Sequence, residues 1–263
     1  MKWKLLVCII CTVALGLVCT IRYYNLDWRE LADLSFYADL ANPSVRIVKI
    51  QEGLRKEQIA DIVGDKLGWD DAEKIEFMSA RFALNQKNPE GYFFPKSYML
   101  GINSTPDSVS TKMFHEFEKQ VNTIPKSKTT KVVNQETALK IASIIQREAG
   151  KGDMKLISGI IWNRIFKGMK LQMDATLQYA KGNDEDGWWP QVESSDKKID
   201  SPYNTYMYPS LPPSPIASPG LAAIEAAYNP QKTSCLFYLH DKKGVIHCSA
   251  TYEGHLKNID TYY

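Results

Sequence analysis

The chain has 263 residues, 44% of them hydrophobic, and its 32 basic and 30 acidic side chains leave a net charge of +2. That length suits one or two domains with a sizeable core, and the near-balanced charge, without a basic tract, gives no reason to expect a nucleic-acid partner. No internal repeat or low-complexity segment is found along it.

Leu5 to Ile21 is an uncharged run of seventeen residues, with Lys2 and Lys4 before it and Arg22 after it. At ~1.5 Å per residue it is just long enough to span a bilayer. The lysines favour a cytoplasmic N-terminus and place everything after Arg22 outside. A cleaved signal peptide is the rival, with Ala14-Leu15-Gly16 as a small-residue cleavage site. Val18 stands where a lipoprotein at Cys19 would need a small residue. The adopted expectation is a single-pass anchor over 1–22 and a polar juxtamembrane segment over 23–43. Cys8, Cys11 and Cys19 fall in the apolar run and read as small hydrophobes.

Val45 to Ile50 alternates and reads as a strand. Gly53 turns the chain, and Ile59, Ile62, Val63 and Leu67 form a helical stripe that Gly68 ends. A second short helix follows from Asp70 and carries Ile75, Phe77 and Met78. Thr105 and Pro106 open a longer helix as N-cap and first-turn proline, running to about Val121. A polar loop over Pro125 to Lys131 follows.

The helix over Ala142 to Gly150 is the chemically informative stretch. Ala138, Ile141, Ile145 and Glu148 recur every three or four residues and share one face. Desolvation among isoleucines raises the pKa of a carboxyl, which makes a general acid usable near neutral pH. The alternative is a boundary glutamate whose carboxylate reaches water or caps another element.

Asp153 is placed to cap the next helix, which carries Met154, Ile157, Ile161 and Ile165 and ends at Gly168. Asp174 reads as N-cap of a helix over Ala175 to Ala180. Gln172 has an amide that can both donate and accept, as an N-acetyl or hydroxyl ligand requires. Residues 181–200 are polar apart from Trp188-Trp189-Pro190, a pair suited either to stacking on sugar faces or to covering a core edge. The prolines of 209–219 predict a rigid loop, Ser218-Pro219 a cap for a helix to Tyr228, and Asn229-Pro230 its end.

Leu236 to Leu239 and Val245 to Cys248 predict a hairpin around Asp241-Lys242-Lys243-Gly244. With His240 opposite Val245, Cys235 and Cys248 lie diagonally, their Cα atoms ~7–8 Å apart. That exceeds the ~4.4–6.8 Å of a disulfide, so two free thiols are expected unless a bulge intervenes. His115, His240, His247 and His255 are scattered, and no Cys/His spacing suggests a metal.

Taken together, Glu148, Ile160-Ile161-Trp162-Asn163-Arg164, Gly168 to Asp174, Ser201-Pro202-Tyr203-Asn204-Thr205-Tyr206 and Leu211 to Leu221 form an ordered set. This set resembles the YceG-like endolytic murein transglycosylases, from about Val45 to the C-terminus. Glu90-Gly91-Tyr92-Phe93-Phe94-Pro95 also resembles the start of that family's second domain, although Lys96-Ser97 stands where Asp-Thr is usual.

The resemblance implies an α+β protein with a LysM-like module over 44–86 and a catalytic domain over 87–263. Its activity would be lytic cleavage between N-acetylmuramic acid and N-acetylglucosamine within nascent strands, leaving 1,6-anhydro ends. Glu148 would be the acid/base, with Gln172, Tyr203 and Asn204 binding the saccharide. No cofactor or metal is implied. The partners would be peptidoglycan strands, the cytoplasmic membrane of a bacterium, with the catalytic domain outside it, and peptidoglycan synthases such as penicillin-binding proteins. Two alternatives stand: a hydrolysing muramidase using Glu148 with Glu90 or Asp174, and a non-catalytic glycan-binding scaffold. For Glu90, a backbone-bonding role at a domain junction competes with the catalytic one.

Overall fold

In the computed structural model, which describes residues 42–82, 88–125, 133–150 and 152–262 together with Val18 and Arg22, the first element is β1 (Val45–Lys49). After the turn at Gly53 comes α1 (Lys56–Leu67), which buries Ile59, Ala60 and Val63. It stops at Gly68, whose left-handed φ of 76° lets its N–H return to Gly64 O. Asp70 then caps α2 (Asp71–Met78) by accepting from Glu73 N, and Phe77 is buried while Ile75 is exposed. β2 (Ser97–Gly101) returns antiparallel to β1, with Val48 opposite Tyr98. The first unit is therefore β–α–α–β, and its closing strand lies beyond residue 86, where the sequence suggested a boundary.

α3 (Pro106–Val121) opens on Thr105 and Pro106 as expected, with Thr105 Oγ1 accepting from Ser108 N. It ties two cores together. Val109 and Met113 pack with Val48, Ile59, Phe77 and Phe93, whereas Phe117 and Val121 pack into the second core. That second core is built on α4 (Gln135–Glu148), α5 (Met154–Phe166) and α7 (Leu221–Tyr228), with α6 (Asp174–Lys181) beside them. Ile141, Ile144, Ile145, Ile157, Ile161 and Ile224 are all buried in it. Each such side chain is worth about 1.5–3 kcal/mol when fully buried, so this packing, more than helix propensity, fixes α4. Gly159 allows close approach on α5, since a Cβ there would lie 2.2 Å from Gln231 O.

Several capping expectations are corrected. Asp174 is not an N-cap but the first residue of α6, and its carboxylate accepts from Tyr206. Asp153 holds the N-cap position of α5 as expected, but its side chain does not bond the helix backbone; its Oδ2 pairs instead with His240 at 2.7 Å. Gly220, not Ser218-Pro219, precedes α7, and its N–H donates to Gln146 Oε1 of α4. The proline-rich loop is thereby docked on α4, helped by Ile216 N donating to Ser143 Oγ.

Beyond α7 the expected hairpin forms as β3 (Phe237–His240) and β4 (Ile246–Ser249), one residue out of the anticipated register. His240 faces Ile246 and Tyr238 faces Cys248. Cys235 precedes the ladder, where Asn163 Nδ2 holds the carbonyls of Thr233 and Cys235. Free of ladder spacing, its Cα comes within 5.8 Å of that of Cys248, and the two form a disulfide. The expectation of free thiols is therefore overturned. A final helix, α8 (Tyr252–Tyr262), packs on the hairpin and was not anticipated, although Tyr252, Leu256 and Ile259 recur at helical spacing; none of its residues is buried.

Among the described residues the strands form two antiparallel pairs, giving a mixed α+β fold. No helix among them is long and apolar enough to cross a membrane. The anchor expected over 5–21 falls, apart from Val18, outside them.

Candidate active site

Glu148 is the last residue of α4, and the chain leaves the helix at once through extended Ala149. Its carboxyl is held from two sides. Ala175 N, in the first turn of α6, donates to Oε1 at 3.0 Å, and Tyr238 Oη of β3 donates to Oε2 at 2.9 Å. Burial pushes the Glu148 pKa up, and this outweighs the two donors, which pull it down. Asp174 adds to the rise and His240 opposes it. Burial next to Glu148 keeps the Tyr238 phenol protonated, with its pKa well above the ordinary value. The same hydroxyl lies 3.4 Å from Met173 Sδ, a second acceptor.

Glu148 opens onto a cavity of about 390 Å³. It is lined by Leu171 to Asp174, Lys197 and Tyr206, by Arg164, Phe237 and Tyr238, and by Tyr252 and His255 of α8. Gln172 stands in left-handed conformation at φ 55°, a region costly for a side chain with a Cβ. Its N–H donates to Thr205 O, and its Oε1 accepts from Arg164 Nη1 at 3.4 Å. Asp174 Oδ1 accepts from Tyr206 Oη at 2.6 Å. Among the described residues no three His, Cys, Asp or Glu side chains are grouped to hold a metal ion.

Comparison with known proteins fits this arrangement. The model of the YceG-like family matches residues 23–261. The chain belongs to that family. It is 30% identical over 236 residues to a Bacillus subtilis protein named endolytic murein transglycosylase, covering 82% of this chain and 64% of that one. A Streptococcus pneumoniae protein of the same name is 32% identical over 188 residues, 70% of this chain and 33% of its own. The chain thus spans less than two thirds of these relatives. A putative YceG-like protein from Listeria monocytogenes has a similar solved structure, with a TM-score of 0.72 and 29% identity over 82% of this chain and 76% of that one.

Of the four site residues that the family resemblance suggested, two meet at the cavity, Glu148 and Gln172. The other two do not line it. Asn204 is fully buried: its Nδ2 donates to Lys197 O and Ile199 O, and its Oδ1 accepts from Tyr206 N. Tyr203 bonds Ser214 Oγ at 2.7 Å and packs on Tyr179. From the same motif it is Tyr206 that reaches the cavity, positioned by the Asn204 turn. Sequence reasoning also passed over Tyr238, Arg164 and His255. Arg164 lay within a quoted family motif, but nothing in the hairpin pattern marks Tyr238.

Glu90, the other carboxyl weighed, is at the junction of the two cores. It is fully buried, accepts from Lys56 N at 3.1 Å and from Tyr179 Oη at 3.2 Å, and burial pushes its pKa up to about 8. Trp188 and Trp189 belong to the same seam. Arg55 lies over the Trp188 ring and Arg147 over Trp189, while Trp189 Nε1 donates to Gln58 Oε1.

Proposed function

We propose that this YceG-like chain is a peptidoglycan lytic transglycosylase that cuts nascent glycan strands internally, with Glu148 as its only acid/base. The observation that carries this reading is the half-buried Glu148 carboxyl, its pKa raised by desolvation, facing a cleft that it shares with Asp174 and with aromatic and hydrogen-bonding side chains. Protonated Glu148 gives its proton to the glycosidic oxygen as the C1–O bond breaks, and an oxocarbenium-like centre develops at C1 of the muramyl residue. Ionised Glu148 then takes the proton from the C6 hydroxyl as O6 closes on C1. No water is consumed, so the new end is a 1,6-anhydro sugar. Ala175 N–H and Tyr238 Oη support the carboxylate between the two transfers, and Gln172 supplies an amide to the bound saccharide.

Under the same reading an N-terminal anchor over 5–21 holds the enzyme at the cytoplasmic membrane of a bacterium, beside the synthases that make its substrate. The β–α–α–β order of the first unit supports its description as LysM-like.

One observation favours hydrolysis instead: Asp174 lines the cavity with Glu148, so a second carboxylate is available to activate water. Product analysis separates the two. Digestion of purified sacculi should release chains ending in anhydro sugar, lighter by one water than the hydrolytic product and inert to borohydride. Reducing muramic ends would establish the muramidase, and no release by the folded protein would favour a scaffold.

A further inference from the structure

Arg164 is a buried cation that the acid–base chemistry does not use. Only 6% of the residue is exposed, yet no carboxylate lies within ion-pair distance of it among the described residues. Nε donates to Leu236 O, and Nη1 to the carbonyls of Lys170 and Leu171 and weakly to Gln172 Oε1. The guanidinium is thus locked in place by the backbone. Nη2 has no partner among the described residues, and it is not sealed in as Nε of Arg147 is. Arg164 lines the same cavity as Glu148.

A buried guanidinium is stable when its charge and its donors are met. Here the backbone meets five-donor chemistry only in part, with the Phe237 ring beside the guanidinium, and the remaining nitrogen belongs to a side chain that lines the cleft. His255, beside it, does not compete as a cation, because burial and the charge of Arg164 push its pKa down. Lys197 is the other cavity lysine or arginine, but it is exposed and stacks on Tyr206.

We propose that Arg164 Nη2 binds an oxygen of the 3-O-lactyl carboxyl group of the muramyl residue, and so makes the cleft select muramyl over glucosaminyl units. This rests on the glycan-cleaving reading above. N-acetylmuramic acid differs from N-acetylglucosamine by that lactyl ether alone, so a fixed donor in the cleft is a direct means of telling them apart. The acceptor is a carboxylate in denuded glycan and an amide carbonyl where a peptide stem is attached. Guanidinium can bond either, and it bonds the charged form more strongly.

The test is calorimetric binding to the full-chain Glu148→Gln protein, which holds substrate without turning it over. The ligands are a denuded GlcNAc–MurNAc tetrasaccharide, its stem-bearing form, and chitotetraose. Both muramyl ligands should bind about tenfold more tightly than chitotetraose, and adding Arg164→Lys should remove about that factor while moving chitotetraose less than about twofold. Equal loss for all three ligands would make Arg164 merely structural, and equal affinities before substitution would also overturn the proposal. No binding of any glycan would instead reject the glycan reading, and this inference with it. Should Arg164→Lys not fold, the side-chain resonances of Arg164 decide the matter in its absence. They should shift with the muramyl ligands and stay still with chitotetraose; unchanged resonances in both cases would overturn the proposal.

Discussion

Glu148 Oε1 accepts the Ala175 N–H at 3.0 Å, so the last side chain of one helix closes the first turn of another. That bond places the carboxylate against the positive end of α6, which favours its ionised form while burial opposes it. The result is a group that holds its proton above the ordinary carboxyl range and also survives its loss. Glu148→Gln keeps the amide oxygen for Ala175 and removes the proton. Cleavage of sacculi should fall by at least about 10²–10⁴-fold, with the thermal midpoint little changed. Anhydro products formed at a normal rate by this variant would remove Glu148 from the chemistry.

Glu90 should govern the pH dependence of stability and not turnover. Its pKa is about 8 in the fold against 4.5 as the ordinary value, so between those pH values the native state binds more protons than the unfolded chain. Stability therefore falls as pH rises through this window, and it is greatest below it. Glu90→Gln should flatten that slope in melting measurements from pH 5 to 8, and should retain far more activity than Glu148→Gln. Loss of activity equal to that of Glu148→Gln, in a folded protein, would restore Glu90 as a catalytic candidate.

Much of this arrangement could be read from the chain itself. The stripe of Ala138, Ile141, Ile145 and Glu148 predicted which face of α4 is buried, and Thr105-Pro106 and Gly68 marked their helix ends correctly. What failed depends on tertiary bonds. Asp174, Asp153 and Ser218 look like caps locally, but Tyr206 and His240 claim the two carboxylates, and Gly220 is drawn onto Gln146. Likewise the hairpin was legible but not its register, because Asn163 and Arg164 fix the strand leading into it from 70 residues or more away. That anchoring helps bring Tyr238 to Glu148.

Gln172 and Asn204 should separate cleanly. Asn204→Ala leaves the carbonyls of Lys197 and Ile199 and the N–H of Tyr206 without their partner, at a cost of about 1–3 kcal/mol or more. Its effect should be a lower melting temperature and, where folded, a similar KM. Gln172→Ala should do the reverse, raising KM or lowering kcat with the melting temperature within a few degrees. A large KM effect from Asn204→Ala in a fully folded sample would return that residue to the substrate.

The disulfide closes a loop with a sequence separation of 13 and ties Cys235 to the second hairpin strand. Neither cysteine should alkylate in denaturant without reductant. Removing the bond, as in the Cys235→Ser and Cys248→Ser pair, should cost about 3 kcal/mol, or roughly 5–10 °C in melting. Activity should fall as well, because Tyr238 lies on the strand beside it; full labelling of both thiols without reductant would contradict the bond.

Tyr238 gives the sharpest pH prediction. Its hydroxyl donates to Glu148 Oε2 in the ionised state, and Met173 Sδ is within reach when the carboxyl is protonated and can donate in its turn. Tyr238→Phe removes a donor that favours the carboxylate, so the pKa of Glu148, already raised, should rise further. The acid form then persists to higher pH. Asp174 and Tyr206, which line the cavity, Arg147 on α4, Arg164 on α5 and His240 on β3 remain to set the rest of the field. The basic limb of the kcat/KM profile should move to higher pH, while the rate at the optimum falls by less than about tenfold, as the loss of one supporting hydrogen bond implies. A limb that stays in place would show that Tyr238 does not bias Glu148, and a limb that moves to lower pH would show that the phenol stabilises the protonated acid instead.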